Sequence, residues 1–244
     1  MQVGRAIQIA VFSREIAGLN AQSLFSHVFG SEPESINIYP KPQGPLELVS
    51  KASASIDSVE RRVQIQSARV DFIVQAQYGQ GGLGKIENAV EVAQDICDRV
   101  ISLPEIPQVH RLAGVVDLYE RFEGLSSANS YLREKTGEPL PSDTTADFIL
   151  QINERCPAKR PPFQINRLVR WTCESVSQLL LMESPIEQQP TSHNFYIAST
   201  IFDINTVPVS NAISHSDQAI LFQNIMEEIR FLAANGQARK WSDA

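Results

Sequence analysis

The chain has 244 residues, 43% of them hydrophobic and 20% charged, with a formal net charge of −7, a balance that supports a folded domain with a sizeable core. No run approaches the roughly eighteen consecutive apolar residues of a membrane-spanning helix. The acidic balance disfavours general, salt-driven binding to nucleic acid or to an anionic membrane.

Residues 2–12 carry the apolar cluster Ile7, Ile9, Ala10, Val11 and Phe12 and are expected to form a strand. Residues 19–29 place Leu24, Phe25, Val28 and Phe29 at helical spacing and stop at Gly30, a residue suited to ending a helix. Strands follow at 36–39, 46–56, 59–68 and 70–77, the last alternating Val70, Phe72 and Val74 with Asp71, Ile73 and Gln75. After a glycine-rich loop, Ile86, Ala89, Val90, Ala93, Ile96, Cys97 and Val100 form one face of an amphipathic helix.

A similar order then returns. Residues 109–120 read as a strand and 126–135 as a helix ending at Gly137. Residues 148–155, 163–173, 179–182 and 195–206 read as strands, and 217–234 as a closing helix before Gly236. Phe12-Ser13-Arg14 with Gly18-Leu19 resembles Tyr119-Glu120-Arg121 with Gly124-Leu125, and Val70-Asp71-Phe72 resembles Phe202-Asp203-Ile204. The offset between the two series grows from 107 to 132 residues. The second half is therefore expected to carry a 25-residue insertion, hosted at 156–162 or at 184–190.

The expected fold class is α+β, with two similar β-α-β4-α halves, 1–107 and 108–244, sharing an antiparallel sheet with helices on one face. The halves form two units or one continuous pseudo-symmetric domain. This element order resembles the two-repeat saddle of TATA-binding-protein-like folds. The resemblance is one of topology alone and implies no function.

Gly79, Gly84 and Lys85 fit a phosphate-binding P-loop up to its last position, where Ile86 stands in place of the Ser or Thr that holds magnesium. Gly79, Gly81 and Gly84 also fit a dinucleotide fingerprint. The acid that fingerprint needs is missing, because Asp98 falls within a helix and Glu105 in a proline-flanked connector. The counterpart loop at 207–216 has no glycine. The loop is accordingly read as a strand-to-helix connector, with phosphate binding by Gly79, Gly81, Gly84 and Lys85 as the alternative.

Arg155, Lys159, Arg160, Arg167 and Arg170 form a basic segment that Trp171 and Phe163 interleave, suited to an acidic protein or to a single strand of nucleic acid. Asp71 and Asp203 occupy matching strand positions, with Arg14 and Arg121 as candidate partners. His27, His110, His193 and His215 lack metal-ligand spacing, and Ser214-His215-Ser216-Asp217 reads as a helix start. Three widely spaced cysteines, Cys97, Cys156 and Cys173, match neither a disulfide framework nor a zinc site.

The expectation is a cytoplasmic, non-enzymatic adaptor acting through protein–protein contact, with no cofactor, metal or catalytic residue and no membrane association. Its contact surface would be Arg155, Lys159, Arg160, Arg167, Arg170 and Trp171. The alternatives are a nucleotide-binding enzyme using the glycine loop and a nucleic-acid-binding protein using the basic segment.

Overall fold

A computed structural model describes residues 2–16, 18–39, 47–79, 82–103, 106, 108–139, 142–180 and 191–235. In chain order the elements are β1 (Val3–Ser13), α1 (Ala21–Phe29), β2 (Ser35–Ile38), β3 (Leu48–Ile56), β4 (Val59–Gln66), β5 (Arg69–Ala76), β6 (Tyr78–Gly79), β7 (Gly82–Leu83), α2 (Ala89–Ile101), β8 (Val109–Phe122), α3 (Leu125–Thr136), β9 (Ile149–Pro157), β10 (Gln164–Leu180), β11 (Thr191–Thr206) and α4 (His215–Asn235). The protein is thus α+β. Among the described residues, nine strands form one antiparallel sheet in the order β2-β3-β4-β5-β1-β8-β11-β10-β9, and β6 and β7 form a separate hairpin.

Strand alternation directs the core. Ile7, Ile9 and Val11 on β1 are buried, as are Val70, Phe72 and Val74 on β5 and Leu112, Val116 and Leu118 on β8, and all join one contiguous cluster. Because successive strand side chains point to opposite faces, these positions define a core face of the sheet. The apolar stripes of the helices complete the cluster: Leu24 and Phe25 from α1, Ala93 and Cys97 from α2, Ala128 and Leu132 from α3, Phe222 and Ile225 from α4. α1 lies against β3 and β4, α2 against β1, α3 against β10 and β11, and α4 against β8 and β11, while α2 and α4 touch each other.

Local chemistry sets the helix ends. The Asn20 side chain accepts from the amides of Gln22 and Ser23 at the start of α1, satisfying donors that have no partner within the helix. Gly30 and Gly137 end α1 and α3 in the left-handed conformation, φ 68° and 70°. Ser214 Oγ accepts from the Asp217 amide at the start of α4.

One expectation is corrected. The strands read at 163–173 and 179–182 are one in the structure as far as Leu180, with Met182 outside the described residues. β10 runs on because β11 pairs with it from Ile165↔Thr206 to Leu180↔Thr191. The polar stretch Glu174, Ser175, Ser177 and Gln178 gives no apolar alternation, so the sequence pattern breaks where backbone pairing does not. Among the described residues, three strands therefore stand between α3 and α4, where four were expected. Of the two candidate insertion sites, 156–162 spans the end of β9 and the turn into β10, and 184–190 lies outside the described residues. Among the described residues, no helix is long and apolar enough to cross a membrane.

Candidate binding surface

The face of the sheet opposite the core cluster carries most of the sheet's charged and amide side chains, beside a second, smaller apolar cluster of Tyr119, Phe195 and Ile197. One row crosses all nine strands in register: Asn37, Lys51, Gln64, Asp71, Ala10, Ala113, Asn205, Asn166 and Arg155. Its second half is linked by hydrogen bonds. Arg155 Nε donates to Asn166 Oδ1 at 3.2 Å, Asn166 Nδ2 to Asn205 Oδ1 at 3.1 Å, and Asn205 Nδ2 to Asp203 at 2.8 Å. Arg111 Nη2 donates to the same Asn205 oxygen at 3.0 Å.

Charge is distributed unevenly over the molecule. Strand positions of this face carry eight cations, Arg5, Lys51, Arg62, Arg69, Arg111, Arg121, Arg155 and Arg170, against five carboxylates, Glu60, Asp71, Asp117, Glu174 and Asp203. The whole chain has 21 cations and 28 carboxylates, which leaves 13 and 23 elsewhere (21 less 8, 28 less 5). A net positive face thus belongs to a net negative chain.

Several ion pairs on this face are partly buried. Arg5 lies 2.7 Å from Asp117 and 3.2 Å from Glu174. Arg69 Nε lies 2.6 Å from Asp71, which Gln8 also reaches at 3.0 Å. Asp71 and Asp117 are 1% and 7% exposed, and burial holds both carboxyls above the ordinary carboxylate range despite the adjacent arginines. Beside Arg5, Asp117 and Glu174, a groove of about 690 Å³ opens between Glu60, Gln75, Tyr78 and Leu83. Six side-chain atoms of this face are buried without a hydrogen-bond partner among the described residues: Arg62 Nε, Gln66 Oε1, Arg111 Nε, Asp117 Oδ1, Thr172 Oγ1 and Ser199 Oγ. Buried polar groups are costly unless something reaches them.

The basic segment is divided by the structure. Arg155 and Arg170 lie on the polar face, Arg170 Nε donating to Gln151 at 2.9 Å. Arg167 points to the core face, where it pairs with Glu228 of α4 at 2.7 Å and with Glu154 at 3.5 Å. Lys159 and Arg160, in the turn between β9 and β10, pair with Glu227 and Asp217 of α4. Trp171 is 1% exposed and belongs to the core, so it offers no stacking surface here. The segment is not one patch: β10 alternation sends neighbouring residues to opposite faces, and three of its five cations tie the hairpin to α4 or its start.

The glycine loop is a hairpin. Tyr78 pairs with Leu83 and Gly79 with Gly82, while Gln80 and Gly81 lie outside the described residues. The Gly84 amide donates to the Gln77 carbonyl and the Ile86 amide to the Gly4 carbonyl, both at 2.9 Å. Lys85 is exposed and pairs with Glu87 at 3.0 Å. α2 begins at Ala89, beyond the residue that should open the helix in a P-loop. The amides of Gly84 and Ile86 are therefore already occupied by backbone carbonyls.

Asp71 and Asp203 share the polar face but do not meet Arg14 and Arg121 as expected. Arg69 and Gln8 hold Asp71, Asn205 donates to Asp203, and Arg121 stacks 4.0 Å from the Phe195 ring centroid while pairing with Glu123. No group of His, Cys, Asp and Glu with metal-binding geometry exists among the described residues. Cys97 and Cys173 are buried and Cys156 half-buried, all as free thiols. Arg5, Phe12, Arg69, Arg111, Asp117 and Glu174 were missed as surface candidates because their partners come from distant strands. The one signal available was the alternation that sets Arg111, Asp117 and Arg121 opposite the apolar positions of β8.

Compared with known proteins, the chain matches no family model, no curated protein and no solved structure.

Proposed function

We propose that this is a non-enzymatic binding protein, an adaptor of the cytoplasm that presents the polar face of its sheet to another protein in a larger assembly. The observation that carries the reading is the charge separation between that face and the rest of the chain. It is joined there by a groove. The four helices are read as a single layer on the core face, which leaves the polar face for a partner.

The halves 1–107 and 108–244 are read as diverged repeats about a pseudo-twofold axis between β1 and β8, in the manner of the TATA-binding-protein-like saddle. Support comes from β1 and β8 lying antiparallel at the centre of the sheet and from α2 meeting α4. The surplus of cations also favours a second reading, in which the same face takes nucleic acid.

The test is affinity purification of the tagged chain from its native cells. A protein partner lost with Arg62→Glu/Arg170→Glu but retained with Arg133→Glu on α3 supports the polar face. Retention by the first variant, or loss with the second alone, overturns it.

A further inference from the structure

We propose that Arg69 and Arg111, clasped on either side of Phe12, form an anion-binding subsite that takes a carboxylate from an acidic segment of a partner protein. The subsite deepens the proposed function and rests on it for the nature of the partner. Phe12 of β1 stands in register with Arg69 of β5 on one side and Arg111 of β8 on the other. The two guanidinium carbons lie 4.7 and 4.9 Å from the ring centroid. A ring between two guanidiniums fixes their planes while leaving N–H edges free to donate.

The donors are unequally used. Arg69 spends Nε on Asp71. Arg111 has no carboxylate partner among the described residues. Its Nη2 donates to Asn205, and its Nε is buried without a hydrogen-bond partner among the described residues. Gln66 Oε1, on the residue opposite Arg69, is also buried without a hydrogen-bond partner among the described residues. Burial holds the His110 imidazole below its ordinary pKa, against a hydrogen bond to the Gln108 backbone and with Arg14 and Arg111 adding to it. Two guanidiniums against one carboxylate leave a single positive charge and an unused fork, the complement of one carboxylate.

A phosphate backbone fits this face less well. Such a polymer needs a continuous track of uncompensated cations. Here the track is interrupted by carboxylates: Arg5 lies between Asp117 and Glu174, and Lys51 and Arg62 share Glu60. Arg155 and Arg170, the other cations of this face without a carboxylate partner among the described residues, bond instead to the amides of Asn166 and Gln151.

The Nε–Hε signals of Arg69 and Arg111, followed by nitrogen-15 NMR in the full chain, test the assignment. Oligoglutamate peptide is expected to shift both signals, and Arg111→Gln to weaken its binding on the order of tenfold. Should Arg111→Gln lower stability, Arg69→Gln gives the same reading, with Arg133→Gln on α3 as the control that retains binding. Equal binding by wild type and both clasp variants overturns the subsite. So does tighter binding of oligothymidylate with shifts across the whole face, which assigns the surface to nucleic acid. Shifts at Arg5 and Arg170 without shifts at the clasp overturn the subsite and leave the docking face standing. Clasp shifts combined with a cellular partner indifferent to Arg62→Glu/Arg170→Glu keep the anion site and overturn the docking face.

Discussion

Gly4 and Ala89 lie so close that a Cβ on Gly4 would stand 2.5 Å from the Ala89 Cβ. The contact is where α2 is seated on β1. Gly4 and Ile86 exchange two backbone hydrogen bonds of 2.9 Å, and this bridge delivers the chain to the start of the helix. Gly4→Ala is expected to cost about 1–3 kcal/mol in urea unfolding, the usual range for overpacking. Ala89→Gly in that background should return part of the loss by reopening the space. A fully stable Gly4→Ala protein would refute the close approach.

The same reasoning separates two neighbours in the glycine loop. A Cβ on Gly84 would lie 2.5 Å from the Ser58 carbonyl oxygen, a backbone atom that cannot turn aside. Gly84→Ala should therefore destabilise by about 1–3 kcal/mol. Lys85→Ala, at an exposed side chain, should leave the Tm where it is. A nucleotide titration that distinguishes Lys85→Ala from wild type would contradict the hairpin account, in which glycine at 84 serves packing.

Much of the fold was legible because its signals are local. Alternation at Val70, Phe72 and Val74, helical spacing at Leu24, Phe25 and Val28, and the stops at Gly30 and Gly137 each act within a few residues. The unbroken course of β10 past Cys173 was not legible. The polar run Glu174 to Gln178 is held in the sheet by pairing with β11, an interaction between residues far apart in sequence. The candidate surface was hidden for the same reason. Arg155, Arg167 and Arg170 look like one basic stretch in the sequence, whereas the pleat sends Arg167 to Glu228 and keeps the other two on the polar face. The clasp around Phe12 is assembled from three strands, and no window of sequence contains it.

Burial raises the carboxyls of Asp71 and Asp117 above their ordinary value of 3.8, although Arg69 and Arg5 pull them down. The folded state then holds those protons more tightly than the unfolded chain. Stability is expected to fall as pH rises from the ordinary value through the raised folded values, and to level off above them. Acidification from neutrality into that window should raise the Tm of the wild type. The net charge of −7 works in the same direction by easing repulsion, so the comparison must hold charge constant. Asp71→Asn/Asp117→Asn should flatten the profile. Asp95→Asn/Asp98→Asn, on exposed positions of α2, removes the same formal charge and should leave the slope in place. Equal slopes in the two double variants would refute the assignment.

Arg170 and Trp171 are adjacent in sequence and face opposite sides of the sheet, which sets apart their roles in any partner contact. Trp171 is among the largest fully buried side chains. Trp171→Ala should cost about 3–5 kcal/mol as a cavity in the core, whereas Arg170→Ala should change stability by no more than about 0.5 kcal/mol. Replacing Trp241 with Phe leaves Trp171 as the sole tryptophan of the chain. Its emission should then be blue-shifted and shielded from acrylamide, because the indole lies among core side chains. Oligothymidylate should leave that emission unquenched even at low salt, since a base has no access to the ring. Quenching by the oligonucleotide would place Trp171 at a stacking surface and return the whole basic segment to the contact it suggests in the sequence.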